Sequence, residues 1–289
     1  MEEKELINLC KEEMDLIILQ LREGKKVSDD IFLKNAGNKI GKVRRTCGEI
    51  LGKRGKLCPD TTYTFLAQYL MHQDDNVRWT VSIALGELGS NNFDLVMLDL
   101  RRMADDAAWS VREAVASALI VIGMKNAKVV PELIDWASDS KENVRRAVAE
   151  SIGRGIGQKD YTVALKILVK MSDDSSLYVR KAVANSFRNM SRKYGELVIE
   201  TLNEWKKSQS EFTRWIIIDS CRELIRSEAN QVCALLFDLA TDERKSLQSC
   251  MVSVLKEGLK KNKADVEQQL LIWRESNNQT INNMLNKIL

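Results

Sequence analysis

The chain has 289 residues, 44% of them hydrophobic and 29% charged, with a net charge of +3. That length suits one elongated domain or two compact ones, and so small a net charge says little about partners. No stretch approaches the roughly 18 apolar residues of a membrane span. The acidic start, Met1 to Glu5, lacks the basic and apolar regions of a signal peptide, so a cytoplasmic protein without a membrane partner is expected. The single histidine, His72, and six cysteines without a C-x-x-C pair leave no Cys/His zinc set. They also disfavour Ser-His-Asp and Cys-His catalysis. No phosphate-binding glycine loop is present. The expectation is therefore no metal, no small-molecule cofactor, and cysteines buried as free thiols in a reducing compartment.

Residues 1–36 read as N-terminal cap helices. Beyond them one pattern recurs: Val43-Arg44, Val77-Arg78, Val111-Arg112, Val144-Arg145, Val179-Arg180 and Thr213-Arg214. Most of these pairs follow an acidic turn, as at Asp74-Asp75, Asp105-Asp106, Asp139 and Asp173-Asp174. The arginines are spaced by 34, 34, 33, 35 and 34 residues, the length of a two-helix unit. Each pair opens the second helix of its unit. Val111, Val115, Ala118, Leu119 and Ile122 form one helical stripe, repeated by Val144, Val148, Ser151 and Ile152 and by Val179, Val183, Ser186 and Phe187. The first helices are the apolar runs Thr62–Leu70, Leu95–Met103, Val130–Trp136, Ala164–Met171 and Leu197–Trp205. Only two prolines, Pro59 and Pro131, interrupt so long a chain.

The pattern resembles the HEAT repeat over about residues 37–260. The expected fold is all-α: a right-handed α-α superhelix, or solenoid, of about six to seven HEAT-like repeats. It forms a single domain over 1–289, with residues 261–289 as C-terminal cap helices. In such stacks the recurrent Asp and Arg resemble a ladder between neighbouring units, which is the reading favoured over ligand contact for Arg78, Arg112, Arg145 and Arg180.

The second helices of such a stack line its concave surface. Counting about 100° per residue, offsets 2, 6, 9, 10 and 13 from each leading residue point away from the apolar stripe. They bring ten cations to that face: Arg45, Lys53, Lys56, Arg146, Arg154, Lys181, Arg188, Arg192, Arg222 and Arg226. The acids there are Glu49, Glu87, Glu113, Glu150, Asp219 and Glu223. The cations concentrate over residues 146–226, with Asn185 and Asn189 among them and Trp79 and Trp215 as stacking surfaces. A track of Arg and Lys suits phosphodiester binding. The alternative is a mixed solvated face with the tryptophans packed between repeats.

Within this stack Trp109 to Glu113, Trp136 to Arg146, Tyr178 to Asn185, Glu196 to Trp205, Thr213 to Ile217 and Cys221 to Arg226 resemble the bacterial DNA alkylation-repair glycosylases of the AlkC and AlkD type, the AlkC branch most closely. The resemblance implies a basic groove holding duplex or branched DNA. It also implies excision of cationic N-alkylated purines such as 3-methyladenine. A carboxylate there would stabilise the oxocarbenium ion left on the sugar. Glu113 and Glu150 match the family's motif positions. Asn189 stands where the family's pattern calls for a catalytic Asp, and Gly153-Arg154-Gly155 replaces its Arg-Pro-Arg. Two readings stay open: an altered reaction on Glu113 or Glu150, or a non-catalytic relative that recognises DNA shape. A protein-interaction scaffold, with a protein partner, is the reading from a different class.

Overall fold

The computed structural model describes residues 2–289, which group into two compact units that divide between Ser151 and Ile152. The described residues form α-helices and short 3-10 turns, with no strand among them, and the fold is an all-α solenoid.

The first unit contains α1 (Glu3–Arg22), α2 (Asp29–Ala36), α3 (Gly41–Gly55), α4 (Pro59–Ala67), α5 (Asp75–Gly89), α6 (Phe93–Met103), α7 (Trp109–Lys125), α8 (Val130–Trp136) and α9 (Glu142–Ile152), the last residue of α9 opening the second unit. Helices α1, α3, α5 and α7 pack side by side in series, so the N-terminal segment continues the stack. Their contact is backbone-close. A Cβ on Gly52 would stand 2.3 Å from Ala84 O, and one on Gly86 2.6 Å from Ala118 Cα. No side chain fits at either place without moving a helix. The stripe Val111, Val115, Ala118, Leu119 and Ile122 is wholly buried. Burial of each larger member contributes roughly 1.5–3 kcal/mol.

The second unit contains α10 (Tyr161–Leu168), α11 (Leu177–Trp205), α12 (Glu211–Leu224), α13 (Ala229–Ala240), α14 (Lys245–Lys261), α15 (Lys263–Arg274) and α16 (Gln279–Leu285). Here α11, α12 and α14 are the neighbours in series. Helix α11 joins the second helix of one repeat to the first helix of the next. Tyr194, at φ −128° and ψ 40°, breaks it just before the separate run expected from Leu197.

The recurrent Val-Arg has a local cause. In every unit the side chain at the arginine position donates to the carbonyl six residues earlier, at 2.5–3.0 Å, from Arg44 to Asn38 O through Arg214 to Ser208 O. It thereby satisfies a carbonyl in the turn that ends the first helix. The acidic turn residue does the complementary job: Asp74, Asp106, Asp139 and Asp174 each accept the backbone N–H two residues on, all at 2.8 Å. The same fold of the turn continues once more at Gln248, whose amide donates to Asp242 O at 2.6 Å.

The expected ladder is seen between repeats at Arg78 and at Arg214. Arg78 holds Asp106 with Nε–Oδ2 2.8 Å and Nη2–Oδ1 2.9 Å, and Arg214 holds Asp242 at 2.6 Å. Arg180 reaches the next repeat through rings instead, 4.5 Å from the centroid of Phe212. All six cysteines are free thiols; five are buried and Cys58 is half-buried.

Candidate nucleic-acid interface

In the first unit the second-helix face is closed by its own charges. The Glu87 carboxylate, nearly buried, lies 3.7 Å from Lys53 Nζ and 3.5 Å from Lys125 Nζ. Partial burial and the neighbouring Lys125 hold the Lys56 ammonium below the usual lysine range, against the pull of Glu87. Trp79, expected as an open stacking surface, is half-buried with Arg44 and Arg45 guanidinium carbons 5.7 and 5.6 Å from its ring centroid. Arg146, expected to face a ligand, is only 8% exposed and bonds Glu113 Oε2 at 2.8 Å. A guanidinium taken out of water needs such a partner, because its desolvation costs several kcal/mol. Both differences have one cause: neighbouring second helices stack closely enough to use these side chains on each other. Glu113 and Glu150 are both half-buried, on α7 and α9.

In the second unit the cations ring a polar cavity of about 430 Å³ lined by Lys181, Arg188, Asp219, Arg222, Glu223, Glu257 and Lys261. Asp219 sits at its base, 6% exposed, and is shared by Arg188 and by Arg222 Nε at 2.6 Å. Arg222 also reaches Glu257 at 2.8 Å and Ser253 Oγ at 3.1 Å. Burial pulls the Arg222 guanidinium down, but Asp219 and Glu257 outweigh it and hold its proton more tightly than in a free arginine. Arg192 is 71% exposed on its side chain, 3.3 Å from Glu223. Lys181, Arg226 and Arg154 are exposed. No ion pair engages Lys181 or Arg226 among the described residues.

The remaining expected residues, Asn185, Asn189 and Trp215, are half-buried. Asn185 accepts from Arg188 Nη2 at 3.4 Å. Asn189 donates its amide back to Asn185 O at 3.0 Å, an i to i−4 bond along its own helix. Trp215 is half-buried, 5.8 Å from Arg180. Among the described residues no set of three or more His, Cys, Asp or Glu side chains is arranged to hold a metal ion, and no helix is long and apolar enough to cross a membrane.

Helix α14 escaped the reading by Val-Arg pairs. It supplies Ser253, Glu257 and Lys261 to the site. The signal was there: 34 residues past Arg214 stands Gln248, with Leu247 as the leading apolar residue, and offsets 6 and 10 from Leu247 are Ser253 and Glu257.

Two overlapping stretches, residues 32–120 and 98–188, match the model for HEAT repeats and together span more than half of the chain. Over 116 residues the chain is 32% identical to a Bacillus subtilis protein named uncharacterized protein YhaZ; the match takes in 37% of this chain and 32% of that protein, so the chain spans about a third of the length of this curated relative. Among solved structures, Pseudomonas fluorescens alkylpurine DNA glycosylase AlkC, bound to DNA containing an abasic-site analogue, is 19% identical with a TM-score of 0.54, over 80% of this chain and 68% of that one. AlkD2 from Streptococcus mutans is 22% identical with a TM-score of 0.48, over 72% of this chain and 97% of that one. The likeness to the Pseudomonas protein is one of fold. The recurring turn with its six-residue arginine hook, the series of stacked second helices and the matched residues 32–188 agree, and the chain belongs to the HEAT-repeat family.

Proposed function

We propose that this chain binds DNA by its phosphodiester backbone, through the cation-rich face of the second unit. The observation that carries the reading is the exposure of Lys181 and Arg226, neither in an ion pair among the described residues, with Lys181 lining the polar cavity together with Arg188 and Arg222. Cations in this state neutralise phosphates and release counterions without first breaking an internal pair. The Pseudomonas glycosylase of like fold holds DNA, which supports the same class of partner here. Exposed lysine and arginine side chains on this face suit contacts to phosphate oxygens, which position a duplex without reading its sequence.

Excision of cationic N-alkylated purines is the finer reading within that function. It requires a carboxylate near the sugar, and Glu113 and Glu150 are the groups for it; the Asn189 amide brings no charge and is already committed to Asn185 O. The Glu113 charge is compensated by Arg146.

The test of binding is a titration of duplex and branched DNA over a salt series. Affinity that falls steeply with salt, and drops on charge reversal at Lys181 and Arg188, is the expected result. Salt-independent or absent binding, with a protein recovered instead, would turn the reading to a scaffold. For excision, release of alkylated base from methylated DNA should disappear in Glu113→Gln or Glu150→Gln. A wild-type protein that releases nothing leaves backbone binding alone.

A further inference from the structure

The cations already named on the second unit differ in how available they are. Arg188 and Arg222 share Asp219, and Arg192 lies against Glu223. A phosphate reaching any of these competes with a carboxylate already in place. Helix α14 carries two that face no such competition. Lys256 and Lys260 are exposed, and no carboxylate stands within ion-pair distance of either ammonium among the described residues. They line a cavity of about 520 Å³ together with Ser249, Val252, Ser253 and Glu257. Glu257 also lines the cavity of Lys181, Arg188 and Arg222, so the two hollows adjoin. Its charge is compensated by Arg222 and by Lys261, each at 2.8 Å.

We infer that α14 contributes a phosphodiester subsite, built from Lys256 and Lys260 with the Ser249 and Ser253 hydroxyls, that carries the DNA contact into the seventh repeat. This rests on the reading that the second unit binds DNA. Two ammoniums one helical turn apart on one face, with hydroxyl donors on the turns before them, suit the oxygens of a backbone phosphate. The dense pairing of Arg188 and Arg222 makes them a rigid floor beside it. The free lysines contribute most of the salt dependence.

The test uses the full chain and a short B-form duplex. In Lys256→Ala/Lys260→Ala, affinity should fall about tenfold near 0.1 M salt, and the slope of log K against log salt should become shallower by about 1–2, since each lost phosphate contact removes about 0.9. The control Lys166→Ala/Lys170→Ala removes the same charge from exposed positions on and just after α10 and should leave the slope unchanged. Inorganic phosphate should displace the duplex no better than chloride at equal ionic strength. An unchanged slope in the α14 variant, an equal loss in the control, or selective displacement by inorganic phosphate would overturn the subsite. Wild-type protein without salt-dependent affinity would instead overturn the DNA reading beneath it.

Discussion

In the first unit the second-helix face matches four cations, Arg45, Lys53, Lys56 and Arg146, with four acids, Glu49, Glu87, Glu113 and Glu150. In the second, the same offsets hold six cations, Arg154, Lys181, Arg188, Arg192, Arg222 and Arg226, and two acids, Asp219 and Glu223, before α14 is reached. Both faces come from the same two-helix repeat with the same turn chemistry. The difference therefore lies at offsets the turn does not constrain. In the first unit those offsets serve the stack, with Arg146 buried on Glu113 and Glu87 enclosed by lysines. In the second they leave charge over. Total charge, +3 for the chain, hides this asymmetry; pairing reveals it.

The widest gap between the units should open under charge reversal. Lys181→Glu with Arg226→Glu is expected to weaken duplex binding roughly a hundredfold near 0.1 M salt, because two phosphate contacts become repulsions. Arg45→Glu with Lys53→Glu in the first unit should change it by less than about threefold. Fluorescence anisotropy on both variants decides the matter. Equal losses would mean that both faces touch DNA and that the contrast in pairing has no functional weight.

How far this contrast was legible in the sequence depends on the range of the contacts behind it. The period, the buried stripe and the second-helix starts follow from local chemistry within a dozen residues, and the structure places α5, α7 and α9 within two residues of the leading Val. Pairing was not legible. Arg146 with Glu113 and Arg188 with Asp219 join residues 33 and 31 apart, and stacking alone decides whether a face residue meets a partner or solvent. Trp79 looked open because its wheel position is right; the two arginines over it come from the preceding repeat. The seventh repeat lies within the expected span of six to seven repeats, but no Val-Arg pair marks its start, because Leu247-Gln248 stands there although the interval continues.

Each unit also carries a rung between repeats, Arg78 to Asp106 in the first and Arg214 to Asp242 in the second, and acid should separate these two. The Asp242 carboxyl is held far below the usual range: Arg244 and then Arg214 outweigh the opposing effect of burial. Burial pushes Asp106 up, but Arg78 and the Ala108 N–H bring it below its ordinary value. A depressed carboxylate stabilises the fold above its unfolded pKa, near 3.9, and loses that contribution as pH falls through the lower folded value. Stability should thus decline below about pH 4 in the wild type. Asp242→Asn should lower it at neutral pH by on the order of 1–3 kcal/mol and flatten the acid limb, with a smaller change in Asp106→Asn. Denaturant melts across pH would show whether the order reverses.

A smaller effect would sharpen the contrast at Asp219. Asp219→Asn releases Arg188 and Arg222 from a shared acid and adds positive charge to the second face, so DNA affinity should rise roughly threefold to tenfold. Glu113→Gln should leave affinity unchanged, because Arg146 stays buried. A fall in affinity for Asp219→Asn would show that the buried carboxylate orients the two guanidiniums, and that their geometry outweighs their charge.

The smallest effect concerns what the two units share. If the side chain at the arginine position is there to satisfy the turn, a neutral donor of the right reach should serve as well as a cation. Gln248 is that natural substitution: its amide reaches Asp242 O at 2.6 Å and Ala240 O at 3.0 Å. Gln248→Ala should cost about 0.5–1 kcal/mol, the net value of such bonds in a half-buried turn. Gln248→Arg should restore the hook and lose nothing. Arg112→Gln should be mild in the first unit for the same reason, since Arg112 Nη1 donates to its own turn, at Asp106 O and Ala107 O. Were Gln248→Ala to melt with the wild type while Arg112→Gln unfolded readily, the arginines would be acting through charge, and α14 would close its turn on different physics from the repeats before it.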